Sequence, residues 1–277
     1  MVKNRHDIRR LDFSAPAGIP PAIEVMRLSR LWSKVGPSLL AGPQRPTFHH
    51  LITLDRGTLR HTVDFAEHLL TPKAFLWVRP GQVQQWSDLA GTEGTLILFE
   101  PDFLDHDPHG PVRYEADQRL TASAEHLADV FADPGPLPLE TRQAVLRHLL
   151  TALVLQLSAT AGASAPPPGD TFVRFRDAVE RGFARTHRLE DYAQALGYSA
   201  RTLSRAAQAA AGVNGKDFID QRIILEAKRL LAHSDHTAAQ IAARLGFTSA
   251  TNFSKYFHIR TGVTPITFRA GQAPGTQ

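Results

Sequence analysis

Arg201 and Arg205 stand four residues apart behind Ser199, and Arg205 has a counterpart in Lys255, which follows Ser249 at the same distance. Four residues is just over one helical turn. On a straight helix Ala200, Arg201, Ser204 and Arg205 therefore share one face, and Leu203 points away from it. A guanidinium on such a face can present two parallel donors to guanine O6 and N7. The carboxamide of Asn252 can pair with adenine in the same bidentate way, and Lys255 suits guanine or phosphate. The corresponding exposed set in the second stretch is Ala250, Thr251, Asn252, Ser254 and Lys255. Thr237 marks a helix start whose free N–H groups suit phosphate oxygens. Arg222, Lys228, Arg244 and Arg260 are further phosphate candidates, with bracing the alternative for Arg222. For every one of these side chains the plainer alternative is a solvated surface group.

The elements that would hold them are legible. From Gly246 to Arg269 a glycine turn precedes Ser249, whose hydroxyl can cap a helix. Phe253, Tyr256 and Phe257 follow at helical spacing, which fits packing in a core better than stacking on bases, and Gly262 closes the helix. Just upstream, Thr237 and Gln240 form a capping-box pattern ahead of Ile241, Ala242 and Leu245. Helix, glycine turn and capped helix make a helix-turn-helix.

The stretch has an echo. Ala193, Leu196, Gly197 and Tyr198 match Ala242, Leu245, Gly246 and Phe247 at an offset of 49. Leu203, Arg205, Gly212, Val213 and Phe218 match Phe253, Lys255, Gly262, Val263 and Phe268 at an offset of 50. One residue inserted in the second turn accounts for the change, so two copies of one unit are expected. A long helix through Ile219, Arg222, Ile223, Ala227, Leu230 and Leu231 joins them as a spacer. It can place the two recognition helices roughly one duplex turn, about 34 Å, apart.

Bulk properties narrow the field. The chain has 277 residues, 43% of them apolar, enough for two ordinary domains with real cores. It has no cysteine, which excludes disulfides and thiolate metal sites and fits a reducing cytosol. No apolar run reaches membrane-spanning length, and the basic N-terminus has no apolar segment after it of the kind a secretory signal carries. Residues 170–277 hold 15 Lys and Arg against 9 Asp and Glu, while residues 1–169 hold 16 against 18. The basic half suits a polyanion.

The first half reads differently. The runs HHLITL, TLRHTVDF, HLLT, AFLWV, VQQW and TLILFE recur between His49 and Glu100, separated by Gly57, Pro72, Pro80-Gly81 and Gly91. These predict a β-sandwich or small barrel, here a barrel open at one end. Phe48, His50, Phe65, Trp77 and Trp86 are the candidate lining of an effector pocket, with core filling as the alternative. Residues 1–47 read as irregular apart from a strand from Ile23. A helix is expected over Leu139–Leu157, with Val145, Leu149, Ala152, Leu153 and Leu157 on its apolar face. It would pack on the barrel or pair with a second copy. The proline-rich run 158–170 reads as a linker.

At these residues the chain resembles the AraC-type family of bacterial transcription regulators. Ala193, Leu196, Gly197, Ser199, Leu203, Arg205 and Gly212 carry the likeness in the first unit. Arg222, Ala227, Leu230 and Leu231 carry it along the spacer. In the second unit it rests on Ile241, Ala242, Gly246, Phe247, Phe253, Phe257, Gly262, Thr264, Pro265 and Arg269. The resemblance implies an all-α domain of two helix-turn-helix units over 171–277. It implies a cupin-like sensing and dimerising domain over 1–160, and leaves 161–170 as linker. Expected partners are double-stranded DNA, a small-molecule effector, RNA polymerase and a second copy, in the cytoplasm at the nucleoid. The family fold also raises a ligand-independent regulator, and a cupin enzyme, as alternatives. Against the enzyme, His49 and His50 are adjacent and so point to opposite faces of a strand, and Gln84 stands where a cupin would place a metal-binding histidine. No metal, cofactor or catalytic residue is expected. Two departures, Ala206-Ala207 and Gly215 where the family favours an aromatic and a proline, predict a loosely packed first unit.

Overall fold

Strand β4 (His49–Arg56) sits at the centre of the N-terminal half, and its alternation sets the layers. Leu51 faces one way and Ile52 and Leu54 the other, all with essentially no exposure. Successive strand residues point to opposite faces, so a strand whose first six residues are all buried must be covered there on both sides. The computed structural model describes residues 9–14, 22–35, 40, 42–87, 89–104, 110–133, 135–161 and 169–271. Pro16, Pro20, Pro21, Pro37 and the linker prolines 166–168 lie outside the described residues. The chain separates into two compact units that divide between residues 165 and 166.

In the N-terminal unit, β10 (Arg113–Glu115), β7 (Ala74–Val78), β4, β9 (Glu93–Phe99) and β2 (Ile23–Arg27) form one antiparallel sheet in that order. A second sheet has the order β1 (Arg9–Leu11), β3 (Gln44–Pro46), β8 (Gln84–Trp86), β5 (Leu59–Val63) and β6 (Ala66–Leu70). Among the described residues only the β1–β3 pair is parallel. Ile52, Leu76 and Leu96 from the first sheet share one apolar cluster with Leu59, Val63 and Trp86 from the second. The strands thus form two sheets packed across a common core, within the sandwich-or-barrel range the sequence suggested, with no closed barrel among the described residues.

The other face of the central sheet carries Leu51, Phe75, Trp77, Ile97 and Phe99. Helices α2 (Gln118–Ala132) and α3 (Leu139–Ala161) cover it. Helix α2 was not anticipated, although Leu120, Ala124, Leu127 and Phe131 form a clear helical stripe behind the N-cap Asp117. In α3 the buried face is Leu146, Leu150, Leu153, Val154 and Leu157. The expected face was correct at Leu153 and Leu157, but Val145 and Leu149 lie at its edge and Ala152 is exposed. The run is apolar nearly all round, which leaves the stripe's phase open until a partner surface fixes it. Ile23 opens β2 as expected, but α1 (Leu28–Val35) replaces part of the irregular stretch.

The C-terminal unit is helical throughout. It comprises α4 (Asp170–Gly182), α5 (Leu189–Leu196), α6 (Ala200–Ala211), α7 (Gly215–His233), α8 (Ala238–Arg244), α9 (Ala250–Thr261) and α10 (Pro265–Gly271). Helix α7 contributes Ile219 and Ile223 to a first core and Ile224, Ala227, Leu230 and Leu231 to a second. Phe183, Phe247 and Tyr256 touch both cores. Among the described residues no helix is long and apolar enough to cross a membrane.

Candidate nucleic-acid interface

Helices α6 and α9 are built alike. Ser199 accepts a hydrogen bond from Thr202 N at 3.1 Å, and Ser249 accepts one from Asn252 N at 3.1 Å. Each satisfies one of the donors left open at a helix start. Gly212 and Gly262 end the helices with φ of 70° and 77°, the left-handed conformation glycine adopts without strain. Between these caps, Leu203 and Ala207 of α6, and Phe253 and Phe257 of α9, are fully buried.

The outward faces follow from that burial. Arg201, Thr202, Arg205 and Gln208 are exposed on α6, and Thr251, Asn252, Lys255 and His258 on α9. The two sets correspond at a constant offset of 50. Sequence reasoning missed Thr202, Gln208 and His258, although the same helical spacing carried one turn further would have found the last two. Ala200, Ser204, Ala250 and Ser254 are half-buried beside the caps. Ser204 Oγ accepts from Gly215 N at 3.3 Å, so this hydroxyl holds the start of α7. Asn252 donates through Nδ2 to Thr248 Oγ1 at 2.9 Å. Thr248 is the residue inserted into the second turn, and it sets the orientation of the Asn252 amide.

Two of the expected phosphate contacts, Arg222 and Arg260, have other work. Arg222 donates to Glu180 at 2.7 Å and to Glu226 at 3.3 Å, and stacks 3.9 Å above Phe183. It braces α7 against α4. Arg260 bonds Asp220 through Nε at 2.7 Å and also through Nη2, and lies 3.7 Å over the Tyr256 ring. Thr237 is held in a full capping box with Gln240, so its hydroxyl and its own N–H are both used. Lys228 is half-buried, its ammonium 5.9 Å from the Phe268 ring. Arg244 is exposed and makes no ion pair among the described residues.

Within the C-terminal unit the two helix-turn-helix units are locked to each other. Gly246 has φ 78°, and a Cβ there would lie 2.4 Å from the carbonyl oxygen of Ala184. His187 Nε2 donates to the Leu245 carbonyl at 2.6 Å, with its ring against Phe247. Burial first, opposed by that hydrogen bond, lowers the His187 pKa and so favours the neutral ring in this contact. Asp220 also accepts from the Tyr256 hydroxyl at 2.5 Å and from Lys216. Burial and that carboxylate together push the Tyr256 pKa up. The first unit is not loose: Gly215 is buried, with its Cβ position 2.9 Å from Leu189, and its N–H donates where a proline could not.

The candidate pocket residues of the N-terminal unit separate. Phe48, His50 and Trp86 lie in the layer between the sheets. Trp77 faces the helices and donates to His49 Nδ1 at 3.2 Å. Phe65 is 37% exposed in the β5–β6 turn, where it and Asp64 both have positive φ. The five therefore cannot line one pocket. Among the described residues no group of three or more His, Cys, Asp or Glu could hold a metal ion.

Residues 192–271 match a protein family described as a helix-turn-helix domain. The chain is 23% identical over 242 residues to the HTH-type transcriptional activator RhaS of Salmonella schwarzengrund (strain CVM19633), covering 81% of this chain and 86% of that relative. Among solved structures it is similar to ToxT from Vibrio cholerae, 12% identical over 91% of this chain and 98% of that one, with a TM-score of 0.43. It is also similar to the DNA-binding domain of AdpA in complex with a target DNA, 26% identical over 37% of this chain and 93% of that one, with a TM-score of 0.34. A doubled helix-turn-helix on a chain that also carries a sheet-rich unit defines the class, a DNA-binding transcription regulator. Residues 192–271 carry that helix-turn-helix domain, and the chain as a whole is similar to transcriptional activators of the AraC type.

Proposed function

We propose that α6 and α9 enter two successive major grooves and read different bases. Arg201 and Arg205 would take guanines. Asn252 would take an adenine, and Thr251 and Lys255 would complete the second half-site. Arg244 and Lys228 would meet phosphate. The observation that carries this reading is the matched outward set on the two capped helices, which leaves chemically different side chains on equivalent positions. It supports an asymmetric site, because two unlike faces on one chain call for two unlike half-sites. A small molecule held between the sheets of the N-terminal unit would alter promoter occupancy or contact with RNA polymerase. The protein would act in the cytoplasm at the nucleoid, with a second copy as partner.

Selection of genomic fragments by the purified full chain, repeated at several salt concentrations, tests the reading. The expected result is an enriched asymmetric motif whose two halves are one duplex turn apart, with affinity falling steeply with salt. Equal retention of random competitor DNA would refute it.

A further inference from the structure

Between the two sheets one carboxamide bridges two imidazoles. Gln84 Nε2 lies 3.0 Å from His50 Nδ1, and Gln84 Oε1 lies 3.1 Å from His61 Nε2. Gln44 Oε1 accepts from Gln84 Nε2 at 3.4 Å on the adjoining strand. All four side chains are buried, His50 at 4% exposure and His61 at 1%. The remaining ring nitrogens, His50 Nε2 and His61 Nδ1, are inaccessible to water and have no partner among the described residues. Apolar rings flank them, the Phe48 ring 4.7 Å from His50 and the Trp86 ring 4.5 Å from His61. His68 stands opposite His61 with its own Nε2 buried and, among the described residues, unpartnered, and Glu24 is buried on the His50 face of the central sheet. Buried polar atoms without partners are rare in folded proteins.

The bridge dictates what these two atoms are. Burial lowers the pKa of His50 to about 3 and of His61 to about 4, so each ring is neutral and carries one proton. An amide has a donor end and an acceptor end. With Nε2 donating to His50, the His50 proton sits on Nε2; His61 gives its proton to Oε1 and leaves Nδ1 bare. Turning the amide over exchanges the two roles. In either orientation the pair presents one N–H and one lone pair.

We propose that His50 and His61 form the polar end of a binding site for a small neutral molecule. Its head group carries an acceptor and a donor together, as a primary carboxamide or a hydroxyl does, and its remainder is apolar. A carboxylate offers acceptors only, and would set a lone pair against a lone pair in a layer that disfavours charge. This site rests on the reading that the N-terminal unit receives the effector, and it gives that effector a chemical class.

The test uses the full chain with 15N-labelled histidine and three probes of one skeleton: hexanamide, 1-hexanol and sodium hexanoate. His50→Asn and His61→Asn assign the two rings. The free protein should show opposite neutral tautomers at the two positions. Hexanamide, hexanol or both should shift both rings saturably, binding about tenfold or more tighter than hexanoate. Gln84→Met, which removes the bridge at similar volume, should reduce that preference to less than about twofold. Equal or tighter binding of hexanoate at these rings would overturn the proposal, as would rings that none of the three probes moves. Ring shifts without any change in affinity for the selected DNA fragments would uphold the site and remove the effector reading. A probe that changes DNA affinity while leaving both rings unmoved would do the reverse.

Discussion

Arg260 in the last turns of α9 closes on Asp220 of α7, with Nε 2.7 Å from Oδ2 and Nη2 on the same oxygen. Asp220 is almost fully buried and also serves Lys216 and the Tyr256 hydroxyl. The recognition helix is thereby fastened to the spacer through one carboxylate. Removing a buried charge from such a cluster strands its partners, so Asp220→Ala is expected to destabilise the C-terminal unit by about 3 kcal/mol. Helical CD during urea unfolding measures this. Arg260→Ala should destabilise less, since solvent reaches that side chain, and should leave the salt dependence of DNA binding unchanged. A slope reduced by about one would instead make Arg260 a phosphate contact.

Gly246 answers two demands at once, a positive φ and a close approach to the Ala184 carbonyl. Gly212 has a similar φ, but nothing lies within 4 Å of its Cβ position. Gly212→Ala should therefore cost only the backbone strain, about 1–2 kcal/mol. Gly246→Ala must also displace the loop carrying His187, and should cost more than about 3 kcal/mol. Equal denaturant midpoints for the two variants would show that the joint between the units yields easily.

What the sequence disclosed follows from where local rules dominate. The caps at Ser199, Thr237 and Ser249 and the turns at Gly197, Gly212, Gly246 and Gly262 are short-range chemistry, and all were legible. So were the strands between His49 and Phe99, because Gly and Pro separate alternating runs. What was not legible depends on distant partners. Arg260 looks like any surface cation until Asp220, forty residues away, is brought beside it. His61 and Gln84 become a site only when β5 and β8 are paired and β4 is laid across them. Gln84 was noticed as the residue in place of a metal ligand, but its bridging role needed the fold. Trp77 and Trp86 differ in which face of which sheet they occupy, and that turns on the register of strands brought together from separate parts of the chain.

Arg201 and Arg205 differ from Arg244 in what they would touch. If the first two meet guanines, Arg201→Ala and Arg205→Ala should each lower affinity for the selected site by about 1–3 kcal/mol and leave random DNA nearly unaffected. Arg244→Ala should weaken both equally and flatten the salt dependence by about one unit of slope. Competition titrations at three salt concentrations separate the two patterns. Equal loss on specific and random DNA for all three variants would reduce Arg201 and Arg205 to phosphate contacts.

Acid should unfold the N-terminal unit through its buried imidazoles. The unfolded chain binds protons at histidine as pH falls through the ordinary value of 6.5, but His61 and His50 in the fold resist until about 4 and about 3. Below pH 6.5 the unfolded state therefore holds more protons, and stability must fall as pH falls. The limiting slope is about 1.4 kcal/mol per pH unit for each ring. His68, whose pKa is lowered by burial and then by Arg113, adds in the same sense. All three tryptophans lie between residues 32 and 86, so their fluorescence reports this unit alone. Urea midpoints followed by that signal should decline steadily from pH 6.5 to 5, before most carboxylates titrate. Replacing either His50 or His61 with Asn should make the decline shallower by about one ring's share, because one fewer site then takes up a proton on unfolding. A midpoint that stays level across this range would mean that solvent or a bound group already satisfies the two rings in the charged form.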